Sequence, residues 1–96
     1  MDIKSFEFNA EKPGPSVLIL GAIHGNEKCG SKAAENLIDE IESGKLKLEC
    51  GSVTFIPICN PKAYAANQRY IDVNLNRVIK RHDNPAHYEE KLANQI

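Results

Sequence analysis

No excess of charge of either sign exists in this chain: twelve Lys and Arg stand against thirteen Asp and Glu, for a net charge of -1 with neutral histidines. Without a basic surplus there is no electrostatic footprint for nucleic acid or for an anionic membrane, so neither is expected as a partner. The start, Met1-Asp2-Ile3-Lys4-Ser5, has no apolar core behind a basic segment, so no secretory leader is expected there. No apolar run approaches the roughly 20 residues of a membrane span, and a cytoplasmic location is expected. Cys29, Cys50 and Cys59 are odd in number and form no Cys-x-x-Cys pair, so neither a disulfide framework nor a thiolate zinc knuckle is indicated. They read as free thiols, buried or half-buried. Gly21, Gly25 and Gly30 are not followed by the Gly-Lys-Ser/Thr that a phosphate-binding loop requires. What remains open is chemistry on small polar substrates.

The 96 residues allow one domain at most, and 42% hydrophobic with 26% charged residues is the composition of a globular protein rather than a disordered one. Ile3 to Phe8 alternates as an edge strand does, and Glu11-Lys12-Pro13-Gly14-Pro15 is a turn. Val17 to Ile23 is continuously apolar, which predicts an interior parallel strand covered on both faces. Ala33, Ala34, Leu37, Ile38 and Ile41 then form one helical stripe, with Asn26 suited to cap its start and Gly44 to stop it. Leu46 to Leu48 is a possible strand start, and Ser52 to Ile58 is a clear strand. Strand, helix, strand in this order predicts a crossover unit whose parallel strands end on the same rim, bringing His24 and Asn60 to one edge. A short helix is expected over 62–68. A last helix is expected from the Asn84-Pro85 pair, with Tyr88, Leu92 and Ile96 as an apolar stripe that the remaining sequence hardly covers.

Two stretches have residue types suited to chemistry. In Gly21-Ala22-Ile23-His24-Gly25-Asn26-Glu27 a strand ends on a histidine, and a ligand crevice is expected beyond the carboxyl ends of strands in an open α/β sheet. His24 and Glu27 lie about one turn apart, so an imidazole nitrogen and a carboxylate oxygen can face one cation. Equally, they fit a satisfied polar group and a favourable contact with a helix N-terminus. Cys29 lies near them with no base in view that would activate it. The second stretch, Arg69-Tyr70-Ile71-Asp72-Val73-Asn74-Leu75-Asn76-Arg77, is rich in guanidinium and amide groups that bind carboxylates. A solvated loop with Asp72 paired to an arginine is the alternative.

Taken together with Asn60-Pro61-Lys62-Ala63, these two stretches resemble the succinylglutamate desuccinylase/aspartoacylase family through nearly the whole chain. The resemblance implies an α/β, partial carboxypeptidase-like fold, with three or four strands of a mixed sheet and flanking helices. Residues 1–96 would be the amino-terminal part of a single zinc-hydrolase catalytic domain, apparently truncated. The implied activity is zinc-dependent hydrolysis of the amide bond of a small anionic N-acyl amino acid such as N-succinylglutamate or N-acetylaspartate. It implies that His24 and Glu27 are two of three protein ligands of Zn2+, that Arg69 stabilises the developing oxyanion, and that Asn76 and Arg77 bind a substrate carboxylate. Zinc chemistry and an anionic substrate suit these residue types. The family usually has Asp where this chain has Asn74, a carboxylate that would orient an arginine of the second stretch. The third ligand and the general base would both lie after Ile96, and His82 and His87, in a loop and a first helical turn, are poor substitutes. Hence the chain alone is expected to be inactive. Two other readings stand beside this one: a non-catalytic ligand- or partner-binding module, self-associating through an uncovered apolar face, and a metallocarboxypeptidase.

Overall fold

The computed structural model describes residues 3–96, so Met1 and Asp2, part of the start read as no leader, lie outside the described residues. In chain order the elements are β1 (Phe6–Asn9), β2 (Ser16–Leu20), α1 (Cys29–Glu42), β3 (Ser52–Ile56), α2 (Pro61–Ala66), a 3-10 turn over Leu75–Arg77, and α3 (Tyr88–Gln95). The sheet order is β1-β3-β2. β2 runs parallel to β3, with Val17 beside Val53 and Leu20 beside Ile56, while β1 is antiparallel, with Phe6 beside Phe55. This is the expected mixed α/β sheet, with three strands. Leu46 to Leu48 forms none. No helix among the described residues is long and apolar enough to cross a membrane.

β3 is central and feeds two cores, because successive strand residues point to opposite faces. Val53 and Phe55 pack with Ala34 and Ile38 of α1. Ile56 turns the other way, into a cluster with Cys59, Leu75, Tyr88, Leu92 and Ala93. The α3 stripe is therefore covered, contrary to expectation: Tyr88 and Leu92 are buried and Ile96 is packed against the same cluster. β2 corrects the opposite way. Expected in the interior, it is an edge strand on which Val17 and Leu18 are 50% and 51% exposed. Only Ile19 and Leu20, at its carboxyl end, reach the two cores.

The helix ends are set by particular hydrogen bonds. α1 starts at Cys29 rather than after Asn26, because the Glu27 N–H closes a separate turn on the His24 carbonyl at 3.1 Å. Its stop is as read, with Ser43 as C-cap and Gly44 at φ 84°, a conformation glycine adopts without cost. α2 is capped by Asn60, whose Oδ1 accepts from the Ala63 N–H at 3.2 Å, with Pro61 in the first helical turn. α3 begins at Tyr88, not at Pro85. The Glu90 carboxylate takes the N–H of His87 at 3.2 Å and fixes the start there.

Candidate functional site

Strand pairing continues past β2 and β3 and builds the rim. Gly21 donates to Ile56, Cys59 donates to Gly21, and Asn60 donates to Ala22, at 2.8, 2.9 and 3.2 Å. Ala22 takes φ 49° to leave the sheet, a left-handed conformation that costs an ordinary L-residue about 1–2 kcal/mol. The strain sits two residues before His24. Gly25 then passes so near α2 that a Cβ there would lie 2.1 Å from the Ala63 carbonyl carbon. Gly25 is thus required by close approach, and its N–H donates to the Arg69 carbonyl at 3.2 Å. Lys28 adds a cation above the Tyr64 ring at 4.4 Å. These contacts bring the His24 turn, α2 and the 69–77 loop together, as the topology predicted for His24 and Asn60.

His24 and Glu27 meet through Nδ1 and Oε2, with the histidine side chain 16% exposed and the glutamate 68%. Nε2 of His24 lies 2.9 Å from Oδ1 of Asn74, and the same oxygen accepts from the Asn76 N–H at 3.0 Å. The Asn74 oxygen can only accept, so Nε2 of His24 donates to it and Nδ1 is the ring nitrogen turned to the Glu27 carboxylate. An imidazole nitrogen and a carboxylate oxygen brought together in this way are residue types able to share a proton or a metal cation. Among the described residues there is no group of three or more His, Cys, Asp or Glu placed to hold a metal. His82 is no third donor: Nε2 lies 2.8 Å from the Val78 carbonyl and Nδ1 3.1 Å from Glu90. His87 is turned to Glu90 as well, at 3.9 Å.

Asn74 therefore orients His24 rather than an arginine. Asp72 is not paired to an arginine either; its carboxylate accepts the Tyr88 N–H at 2.9 Å. Arg69, Asn76 and Arg77 are exposed along the loop, Arg69 with its backbone against the His24 turn and the other two directly after Asn74 on the 3-10 turn. What sequence reasoning missed is Glu89. It is fully buried, and its carboxylate accepts from Asn60 Nδ2 and the Ile71 N–H at 2.8 Å and from the Asp72 and Val73 N–H groups at 2.9 Å. Burial alone would raise its pKa, but the hydrogen bonds from Val73, Ile71, Asn60 and Asp72 outweigh it and hold the carboxyl below its ordinary 4.5. A sequence signal existed: Glu89 sits one turn before Ala93, on the flank of the α3 stripe.

Comparison with known proteins gives a consistent result. The family model described as the succinylglutamate desuccinylase/aspartoacylase catalytic domain matches residues 13–96. A succinylglutamate desuccinylase of Burkholderia pseudomallei is 35% identical over 64 residues, 67% of this chain and 18% of that protein. An aspartoacylase family protein from Mesorhizobium loti superposes with a TM-score of 0.84 at 31% identity, over 97% of this chain and 29% of its own. Succinylglutamate desuccinylase from Vibrio cholerae gives 0.75 at 26% identity, over 88% and 24%. The chain spans less than a third of each of these relatives.

Proposed function

This chain belongs to the succinylglutamate desuccinylase/aspartoacylase family, and we propose that it forms the metal-holding rim of a deacylase that hydrolyses the amide of a small anionic N-acyl amino acid. The observation that supports this most directly is the convergence of His24 Nδ1 and the Glu27 carboxylate, with His24 locked by Asn74. The family match favours a deacylase over a metallocarboxypeptidase.

His24 and Glu27 would hold Zn2+, which when bound supplies a polarised carbonyl and a water acidic enough to ionise near neutral pH. The chain's own residues do the rest. Asn74 holds the ring of His24 in the tautomer that presents Nδ1. Arg69, anchored through its carbonyl to Gly25, supplies positive charge to the amide oxygen as water adds and the carbon–nitrogen bond breaks. Asn76 and Arg77 hold the substrate carboxylate, a guanidinium fork and an amide donor being matched to it. With two metal donors among the described residues, the 96-residue chain alone is expected to show no turnover.

Calorimetric titration with Zn2+ tests the reading. Weak binding, short of the affinity of a three-ligand site, is expected in the wild type and none in His24→Ala. Asn74→Ala, which frees the ring, is expected to weaken binding by about tenfold or more. Unchanged binding in His24→Ala overturns the assignment of the metal donors.

A further inference from the structure

We propose that Glu89 is a positioning residue for the site: a buried carboxylate around which the 71–73 backbone is wrapped, so that Asn74 is delivered to the imidazole of His24. The proposal rests on the reading of His24 and Glu27 as metal donors, but its structural part stands apart from it.

Glu89 is the second residue of α3 and lies where three segments meet: α3 itself, the Asn60 cap of α2 and the 71–73 loop. Oε1 accepts from the Asp72 and Val73 N–H groups, and Oε2 from the Ile71 N–H and from Asn60 Nδ2. Three successive backbone N–H groups aimed at one anion form a concave nest, an arrangement suited to holding negative charge. No ion pair to Glu89 occurs among the described residues, so the four N–H dipoles balance its charge. Each oxygen takes two donors. A carboxamide could not do the same, since its NH2 would face two N–H groups.

The connections run outward to the rim. Asn60 gives Nδ2 to Glu89 while its Oδ1 caps α2, the helix against which Gly25 is pressed. Asp72, held by its N–H, returns a carboxylate oxygen to the Tyr88 N–H, so loop and helix grip each other in both directions. Val73, also held by its N–H, is the neighbour of Asn74, whose Oδ1 meets His24. One peptide unit separates the nest from the residue that fixes the histidine. Loss of the anion leaves buried donors unpaired and releases the loop, and His24 loses its fixed tautomer with it.

NMR on the 96-residue chain tests this without metal. In the wild type, hydrogen-bond scalar couplings are expected between the Ile71, Asp72 and Val73 amide nitrogens and the Glu89 carboxyl carbon. The His24 ring is expected to show the Nε2–H tautomer. Their absence in the folded wild type overturns the proposal whatever the variants do. In Glu89→Gln, exchange of those three amides is expected to accelerate by about tenfold or more, and the His24 tautomer signal to average. Glu89→Asp, which keeps the charge on a shorter arm, is expected to restore part of both. A Glu89→Gln protein that is merely less stable, with the His24 signature unchanged, reduces Glu89 to a core residue and overturns the positioning role. Zn2+ titration separates the two readings. Intact couplings with no zinc binding retire the metal assignment alone, whereas zinc binding without the couplings retires Glu89.

Discussion

At the scale of single residues, the rim depends on how closely backbones approach one another. Gly25 and Gly30 lie five positions apart and look alike in the sequence, yet their surroundings are opposite. A Cβ on Gly25 would meet the Ala63 carbonyl carbon at 2.1 Å, its oxygen at 2.4 Å and the Tyr64 nitrogen at 2.4 Å, all backbone atoms that cannot swing aside. A Cβ on Gly30 would meet nothing nearer than Gly21 at 4.0 Å. Gly25→Ala is therefore expected to cost about 3 kcal/mol or more, since α2 must move to admit the methyl group. Gly30→Ala, in the first turn of α1, is expected to be neutral or to stabilise by up to about 1 kcal/mol through helix propensity. Urea unfolding of the two variants checks the contrast. Equal effects would mean that the Gly25 contact with α2 does not form.

At the scale of elements, α3 has two roles that pull its neighbouring side chains in different directions: Tyr88 and Leu92 enter the core, and Glu89 enters the polar nest of the loop. Its effect on stability has a definite pH dependence. Because the Glu89 carboxyl is held below its ordinary 4.5 in the folded chain, its stabilisation is fully present above that value and is lost as pH falls through the lower, folded one. The chain carries other carboxylates besides Glu89, and so a wild-type acid curve alone is ambiguous. The difference between wild type and Glu89→Gln isolates the group: their urea midpoints are expected to be well separated at pH 6 and to converge as pH falls below 4.5. A separation independent of pH would show that the anion is not what the loop binds. Much of the element order was legible in the sequence, since period-2 runs, the α1 stripe and Gly44 are local signals. The starts of α1 and α3 were not, because Glu27 closing on His24 and Glu90 closing on His87 compete with the better-looking caps at Asn26 and Asn84. Likewise His24 and Glu27 could be read from spacing, whereas the Asn74 contact to His24 spans fifty residues and Glu89 reaches back to Asn60 across twenty-nine.

At the scale of the whole molecule, the two cores lie on opposite faces of β3, and only one of them ties the sheet to the 75–93 region. Periodicity alone could not assign this, because a stripe shows that a face is apolar but not what covers it; α3 found Ile56 and Leu75, while Val17 and Leu18 of β2 found no cover among the described residues. Cys59 offers a native probe of that junction. It is fully buried in the cluster with Leu75 and Leu92, its Sγ 3.7 Å from the Ile56 carbonyl, and burial pushes its thiol up to about 11. Cys29 and Cys50 are exposed. A thiol reagent acts on the thiolate, so at pH 8 two thiols are expected to react at once and the third only when the sheet parts from α3. If that parting is a global event, the Cys59 rate will fall in step with unfolding free energy as denaturant is withdrawn, and Gly25→Ala will speed it in proportion to its loss of stability. A Cys59 rate that ignores Gly25→Ala but rises in Glu89→Gln would instead identify the 71–93 region as a unit that opens separately from the sheet. The two slopes, measured on the same chain, decide whether the rim and the core unfold together.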